Sequence, residues 1–218
     1  MTPIAPDGFM SVRPGRVATI VTSLEMTSAP PLTCEQRAKP FDAKLMRVER
    51  PGIDWYRRLF RAVGEDWLWF SRLRMNADEL AGIIHDPAVH IYVLRTESCD
   101  EAGLLELDFR EAGQCEIAFF GLIAQEIGKG LGGFLMREAI ARAWQAPIQR
   151  LWVHTCTLDH PGALAFYRRQ GFKPYRQQIE VADDPRVTGE LPQTAATHIP
   201  VFEHNGEPTE TGLPAWRP

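Results

Sequence analysis

Residues 115–144 read CEIAFFGLIAQEIGKGLGGFLMREAIARAW, and the fold prediction starts from this stretch. Its first part is a run of apolar and aromatic residues, which predicts a strand buried on both faces. Its last part predicts a helix, because Leu131, Leu135 and Ala139 recur on one side. The stretch therefore predicts a buried strand, a short turn and a helix.

Four glycines crowd that turn: Gly128, Gly130, Gly132 and Gly133. Glycine permits left-handed backbone dihedrals and lets another molecule approach the main chain. A helix N-terminus adds unpaired N–H groups and a partial positive charge, which favour an anion. The spacing lacks both the acidic residue of a dinucleotide motif and the GK[ST] ending of a P-loop. Two interpretations stay open here, a phosphate-binding turn and a tight turn without a ligand.

A second stretch, residues 150–175, reads RLWVHTCTLDHPGALAFYRRQGFKPY. It again predicts a strand followed by a helix. Asp159 or His160 can cap the helix, Pro161 suits its first turn and Gly171 ends it. The chain thus contains two strand–turn–helix units in succession.

Together the two stretches resemble the GCN5-related N-acetyltransferase (GNAT) family. The first family motif is matched by Ile127-Gly128-Lys129-Gly130-Leu131-Gly132, and the second by His160, Ala163, Phe166-Tyr167 and Gly171-Phe172. Ile127 stands where the family usually has a cation or an amide, and His160 stands where it usually has Asn. The strings FGL, GLG and HTCTLDHP resemble an uncharacterised bacterial branch of the family more closely. The resemblance covers about residues 44–181.

The resemblance implies an α/β fold with a mixed, largely antiparallel central sheet that is flanked by helices and splayed at the acetyl-CoA site. It implies an N-acetyltransferase that transfers the acetyl group of acetyl-CoA directly to an amine. We expect a small-molecule acceptor, because the sequence shows no basic or extended peptide-binding feature. A protein or peptide acetyltransferase and a non-catalytic acyl-CoA-binding module are the alternatives.

The resemblance also assigns the cofactor-binding residues. The strand backbone near Leu122 would polarise the acetyl carbonyl and pair with pantetheine, and the glycine-rich turn would hold the pyrophosphate through N–H groups. The expected set is Leu122, Ile123, Ala124, Ile127, Gly128, Lys129, Gly130, Leu131, Gly132, Gly133, His160, Ala163 and Phe166. Tyr167 would act as the catalytic acid, because a phenol with a pKa of about 10 can donate a proton to a thiolate.

A catalytic base is needed because an alkyl amine with a pKa of about 10.4 costs roughly 4–5 kcal/mol to deprotonate at neutral pH. Our first candidate is Glu116, a carboxylate in an otherwise apolar strand. An ion pair with Arg110 or Lys173 is the alternative role for Glu116. Glu106 on the preceding strand is the second candidate. His154 is the third, because its pKa lies near neutrality.

Trp67 and Trp69 lie in the aromatic string EDWLWF at residues 65–70. Aromatic side chains dominate protein cores, so a packing role is the first interpretation. The second interpretation is that they wall an acceptor pocket, together with Glu106 and His154. Both interpretations stay open at this point.

The composition excludes several functional classes. The chain has 218 residues, 44% of them hydrophobic, and a net charge of −4 without a dense Lys/Arg block, so we expect no nucleic-acid partner. No apolar run is long enough for a membrane span, and residues 1–16 lack an apolar signal core, so we expect a cytoplasmic protein. The four cysteines show no CxxC spacing, so we expect reduced, structural thiols and no metal. A homodimer stays open.

The chain divides into three predicted parts. Residues 1–43 form an N-terminal arm with one predicted strand over 17–26. Residues 44–181 form the acetyltransferase-like domain. Residues 182–218 are rich in proline and polar residues and form a C-terminal tail.

Overall fold

The computed structural model describes residues 10–30 and 42–203. The first nine residues of the predicted arm, Cys34 and the end of the predicted tail from residue 204 lie outside the described residues.

A seven-stranded sheet organises the described chain, in the order β2-β3-β4-β5-β6-β1-β7. The strands are β1 (Arg16–Met26), β2 (Ala43–Arg47), β3 (Val89–Thr96), β4 (Gly103–Asp108), β5 (Gln114–Leu122), β6 (Arg150–Cys156) and β7 (Lys173–Asp183). All neighbouring strands are antiparallel except β5 and β6, which run parallel. The mixed, largely antiparallel sheet that the resemblance implied is therefore confirmed.

Helices cover both faces of this sheet. They are α1 (Ile53–Gly64), α2 (Ser71–Arg74), α3 (Ala77–Ile84), α4 (Leu131–Ala143), α5 (Ala163–Arg169) and α6 (Pro185–Thr188), with short 3₁₀ turns at Glu65–Trp67 and Ala124–Glu126. The apolar stripe of α4 packs on one face, where Leu135 meets the cluster that holds Val153. On the other face α1 and α3 pack through Phe60 and Leu80 against Leu104.

The sheet continues across both domain boundaries that the sequence suggested. The predicted strand of the N-terminal arm is β1, and β1 pairs with β6 on one side and with β7 on the other. It is therefore an inner strand of the sheet rather than part of a separate arm. β7 runs from Lys173 to Asp183 and so continues past residue 181, the predicted end of the domain.

The start of the predicted tail is folded onto the domain. Asp184 caps α6 and forms a buried ion pair with Arg186 at 2.7 Å. The Arg186 guanidinium also donates to main-chain carbonyls, among them that of Ile199 at 2.8 Å. Leu191 packs in a third cluster with Val17 of β1. Residues 184–200 thus cover one end of the domain. The segment can be buried there because its buried polar groups form hydrogen bonds within the segment itself.

A buried ion pair anchors α2 to the sheet. Arg72 donates to Glu106 of β4 at 2.5 Å, and the Tyr56 hydroxyl donates to the same carboxylate. The Glu106 side chain is fully buried. Burial and the adjacent Glu106 carboxylate both raise the pKa of Tyr56, which therefore stays protonated as a donor.

Replacing Arg72 with methionine is expected to destabilise the protein by about 3–5 kcal/mol, because Glu106 would remain as an uncompensated buried charge. Urea unfolding measures this free energy. Arg58 pairs with Glu101 at the exposed surface, and Arg58→Met is the matched control, with an expected cost of about 1 kcal/mol or less. Equal costs for the two variants would contradict the stabilising role of the buried pair.

Within the described ranges, no helix has both the length and the apolar character that crossing a bilayer requires.

Candidate active site

The two parallel strands of the sheet separate part-way along their length. β5 and β6 pair from Gln114↔Arg150 to Ile117↔Val153 and no further. Beyond that point residues 118–122 of β5 and 154–156 of β6 are not paired with each other. The sheet is therefore splayed, as the resemblance implied.

A β-bulge explains where the separation begins. Glu106 of β4 pairs with Phe119 of β5, but Leu107 pairs with Ile117, so Ala118 is an extra residue. A bulge bends its strand and increases the local twist. The bend begins at the residue after the last β5–β6 pair, and β5 consequently turns away from β6.

The backbone of β5 is directed into the gap at its end. Ile123 donates its N–H to the Ala102 carbonyl on the β4 side, at 3.1 Å. Main-chain polar groups alternate in direction along a strand. The N–H and C=O of Leu122 therefore point away from β4 and toward the gap.

A cavity of about 820 Å³ fills this gap and reaches both faces of the sheet. Phe120 and Phe166 line it on the face that α4 covers, whereas Phe119 and Trp69 line it on the other face. The gap is thus lined by residues from both faces of the sheet.

The glycine-rich turn lies at one end of the cavity. Gly128 and Gly130 have φ values of 84° and 81°, a region that favours glycine, and Gly130 is the N-cap of α4. A Cβ atom added at Gly132 would meet no atom within 4 Å. The first turn of α4 therefore presents open main chain to the cavity, and this arrangement fits the diphosphate of coenzyme A.

Nine of the thirteen expected cofactor-binding residues line the cavity: Leu122, Ile127, Gly128, Gly130, Gly132, Gly133, His160, Ala163 and Phe166. The other four are directed elsewhere. Leu131 is 3% exposed in the core beneath α4, and Lys129 pairs with the buried Glu126 at 3.0 Å. Ile123 packs in the core beside α1, and Ala124 begins a 3₁₀ turn rather than continuing β5.

Tyr167 lies at the cavity wall within a group of aromatic rings. Its ring centroid is 6.2 Å from that of Phe120, 5.6 Å from Phe166 and 6.1 Å from Phe172. Burial raises the pKa of Tyr167, and the nearby Asp159 carboxylate raises it further. The phenol is therefore protonated at neutral pH and can act as a hydrogen-bond donor.

His154 and Glu116 form a pair at the start of the gap. The Nδ1 atom of His154 lies 3.3 Å from Oε1 of Glu116, and 47% of the histidine side chain is exposed. The hydrogen bond with Glu116 raises the pKa of His154. His154 lines the large cavity, whereas Glu116 lines a smaller one of about 570 Å³, which His154 and Glu180 also line.

Neither Arg110 nor Lys173 pairs with Glu116: Arg110 pairs with Asp108 at 2.5 Å, and Glu116 contacts His154 instead. Glu106, the second base candidate, does not reach the cavity. Its carboxylate is enclosed by Arg72 and Tyr56 beneath α1, so we no longer keep Glu106 as a candidate for the base or the acceptor pocket.

Trp67 and Trp69 both line the large cavity, and both also pack. The Trp67 ring lies between the imidazoles of His160 and His198, with centroid distances of 5.3 Å and 5.9 Å. Trp69 packs on Phe60, and its indole N–H donates to Asp159 at 3.2 Å. The two interpretations of this aromatic string are therefore compatible.

Leu68 explains how the adjacent tryptophans both reach the cavity. Its φ of 53° is rare for a residue with a branched side chain. The buried side chain packs against Val17 and Leu158, which holds the residue in this conformation. The left-handed turn reverses the chain between Trp67 and Trp69, so this aromatic part of the cavity wall depends on a strained backbone position.

Asp159 is a site residue whose role differs from the one that the sequence suggested. α5 begins at Ala163 with Gly162 as its N-cap, and Asp159 does not cap it. Instead the carboxylate accepts from the Thr155 hydroxyl at 2.7 Å and from the Cys156 N–H at 2.9 Å. Because Asp159 also accepts from the Trp69 indole, it connects the aromatic part of the cavity wall to the end of β6. The only signal for Asp159 in the sequence was its position shortly after β6, which ends at Cys156.

His160 bonds the main chain of the turn before α5. Its Nδ1 accepts a hydrogen bond from the Gly162 N–H at 3.0 Å. Among the described residues, no group of three or more His, Cys, Asp or Glu side chains could hold a metal ion.

Comparison with known proteins identifies the fold and the family. The family model "Acetyltransferase (GNAT) family" matches residues 53–172, which is more than half of the chain. A search of curated proteins finds no match.

Three similar solved structures share the fold at low sequence identity. A functionally unknown conserved protein from Staphylococcus epidermidis is 13% identical with a TM-score of 0.54, covering 78% of this chain and 63% of that one. An acetyltransferase of the GNAT family from Novosphingobium aromaticivorans is 14% identical with a TM-score of 0.53, covering 79% and 68%. A GCN5-related N-acetyltransferase from Sphaerobacter thermophilus is 18% identical with a TM-score of 0.51, covering 79% and 53%.

The chain thus spans between about half and two thirds of the length of these proteins. The splayed parallel strands and the glycine-rich turn agree with the family match over 120 residues, 53 to 172. This chain belongs to the GNAT family of acetyltransferases.

Proposed function

We propose that this N-acetyltransferase transfers the acetyl group of acetyl-CoA directly to the primary amine of a small molecule. The main support for this proposal is one continuous cavity. It connects the glycine-rich turn with Tyr167 and His154 through the gap between β5 and β6. A donor held at the turn and an amine entering from the opposite face can meet in this gap.

The donor site is built mainly from main chain. The N–H groups at the start of α4 would bind the pyrophosphate, which explains why Ile127 can replace the family's cation or amide. The pantetheine arm would pair with the free backbone edge of β5, and the N–H of Leu122 would polarise the acetyl carbonyl. These roles need no particular side chain at Leu122.

We propose His154 as the base and Glu116 as the residue that positions it. The amine nitrogen forms a bond with the carbonyl carbon, and His154 Nε2 takes the proton that the amine releases. Glu116 holds the ring through Nδ1 and stabilises the imidazolium that results. We prefer His154 over Glu116 as the proton acceptor because His154 lines the large cavity and Glu116 does not.

Tyr167 would donate the second proton. The carbon–sulfur bond breaks as the carbon–nitrogen bond is completed, and the departing thiolate takes the phenolic proton. The raised pKa of Tyr167 keeps this proton available at neutral pH, and a proton from solvent restores the phenol after release.

Replacing Tyr167 with phenylalanine is expected to lower kcat by about 10- to 100-fold, with coenzyme A affinity within about threefold of wild type. The hydroxyl acts only as the thiolate leaves, so binding does not need it. Steady-state kinetics and calorimetric titration measure the two quantities. Tyr92→Phe, in the core against Arg142, is the control and should change neither. An unchanged kcat in Tyr167→Phe would show that the Tyr167 side chain has only a packing role.

The acceptor pocket favours an amine attached to an apolar or aromatic body. Trp67, Trp69 and Phe70 line the cavity on the acceptor face, with Glu180 at the same cavity. Aromatic faces bind both apolar groups and cations. The segment 184–200 packs behind this wall, which supports a compact acceptor.

A peptide acceptor is the second candidate, and the smaller cavity favours it. That cavity continues from His154 along the face of β6, β1 and β7 and is lined by Gln114, Arg150 and Tyr175. An extended chain lying there would bring one amine to His154.

A thiol-release assay with acetyl-CoA tests these proposals against each other. We expect turnover with small primary amines that carry aromatic or apolar groups, and little with peptides bearing a free N-terminus or lysine. Turnover restricted to peptides would support the second candidate instead. Coenzyme A binding without turnover on any amine would indicate a non-catalytic binding module.

A further inference from the structure

The last strand of the sheet, β7, has an open outer edge. It pairs with β1 on one side, and within residues 10–30 and 42–203 no strand pairs with its other side. Eight consecutive residues, 173–180, are exposed, including Tyr175 at 42% and Ile179 at 46%. Proteins usually shorten, bulge or cover such an edge, because free N–H and C=O groups invite another strand.

The hydrogen bonds around Ile20 show which residues of β7 have free backbone groups. Ile20 donates its N–H to the Thr157 hydroxyl, and its carbonyl accepts from the Thr157 N–H. The polar groups of Ile20 therefore point away from β7. Its antiparallel partner Ile179 forms a non-hydrogen-bonded pair with it, so the N–H and C=O of Ile179 point to the outer edge. By alternation those of Gln177 point outward too.

The charges along this edge are self-complementary. Arg176 and Glu180 lie on the same face of the strand, at equal distances from Gln178 on either side. If a second copy pairs antiparallel about Gln178, each Arg176 faces a Glu180 of the other copy. The same register places the outward groups of Gln177 opposite those of Ile179, which allows about four main-chain hydrogen bonds.

The opposite face of the strand adds apolar contact in the same register. Ile179 and its β1 partner Ile20 are both about half exposed, at 46% and 48%. Across the two-fold axis the two Ile179 side chains become diagonal neighbours, within contact distance of each other. An exposed apolar pair would thereby be extended into a stripe of four isoleucines that two copies share.

We propose that β7 is a homodimer interface in which two copies pair antiparallel about Gln178 and form one continuous fourteen-stranded sheet. Pro174 cannot donate a main-chain hydrogen bond, and Tyr175 is the bulged residue of β7. The ladder therefore runs from Arg176 to Glu180. A register shifted by two residues would keep the backbone hydrogen bonds but would lose both Arg176–Glu180 pairs. The opposite charges therefore favour the register about Gln178.

A charge-exchange experiment tests the interface. Sedimentation velocity of the full chain is expected to give twice the 24.6 kDa mass of one copy. Arg176→Glu places like charges opposite each other and should lower the dimer affinity at least about tenfold. Adding Glu180→Arg restores opposite charges and should restore the dimer. A monomeric wild type, or an Arg176→Glu variant as dimeric as wild type, would overturn the proposal.

A cross-linking experiment tests the register. Gln178→Cys places two thiols opposite each other at the two-fold axis, where facing Cβ atoms of a non-hydrogen-bonded pair lie about 4.5–5.5 Å apart. Mild oxidation should give a covalent dimer in high yield. Lys44→Cys, on the exposed side of the opposite edge strand, is the matched control and should remain monomeric on a denaturing gel. Equal cross-linking of both variants would contradict the proposed register.

Discussion

Coenzyme A binding is expected to fall about 100-fold when Gly132 is replaced with glutamate. A Cβ atom at this position meets no atom within 4 Å and points into the open space at the first turn of α4. The new carboxylate would occupy the place that we assign to the pyrophosphate and repel it. Calorimetric titration with coenzyme A measures the change directly.

The choice of Gly132 separates ligand contact from backbone strain. Gly128 and Gly130 have positive φ, so any substitution there also distorts the turn, whereas Gly132 is a helical residue. Glutamate is a better helix former than glycine, so the helix itself should not be weakened. Gly82→Glu in α3 is the matched control, because Gly82 is also helical with no atom within 4 Å of an added Cβ. If Gly132→Glu binds coenzyme A as tightly as Gly82→Glu, the glycine-rich turn is not the anion site.

His154→Asn is expected to lower kcat/KM by about 10²- to 10⁴-fold, the usual contribution of a positioned general base. The asparagine side chain can still donate to Glu116 but cannot accept the proton of the amine. His85→Asn is the control, because His85 bonds the Pro51 carbonyl away from the cavity and its replacement should leave activity unchanged. An active His154→Asn enzyme would place the base elsewhere.

The pH profile distinguishes the base from the residue that positions it. The Glu116 carboxylate, which accepts from His154 Nδ1, raises the pKa of His154, so the neutral, active form of the base appears only as the pH rises through that value. Glu116→Gln removes the stabilising carboxylate and lowers this pKa. The acid limb of kcat/KM should therefore move to lower pH while activity at high pH is reduced. If the acid limb of kcat/KM disappeared in Glu116→Gln but remained in His154→Asn, Glu116 would be the base instead.

Local sequence patterns predicted most of the fold around the glycine-rich turn. The apolar run of β5, the glycines of the turn and the apolar stripe of α4 are adjacent in the chain, so a short window is sufficient to predict the unit. The same holds for β6 and α5. The splay itself depends on the bulge at Ala118, and no residue type at that position marks it.

The arrangement of the proposed base residues could not be predicted in this way, because they come from distant segments. Glu116 is 38 positions from His154 in the sequence, yet their side chains lie 3.3 Å apart through the pairing of β5 and β6. Glu106, on the neighbouring strand, was the second base candidate in the sequence. Only the tertiary structure showed that the Glu106 carboxylate is buried and pairs with Arg72 and Tyr56.

By itself the sequence determined the two strand–turn–helix units and the glycine-rich turn before α4, because hydrophobic periodicity and glycine conformational freedom are local properties. The tertiary structure alone decided that β1 enters the sheet between β6 and β7, that residues 184–200 close the domain, and that His154 rather than Glu106 faces the cavity. Those outcomes depend on which distant surfaces exclude water from one another and which buried charges find partners, and such pairings are set only when the whole chain has packed.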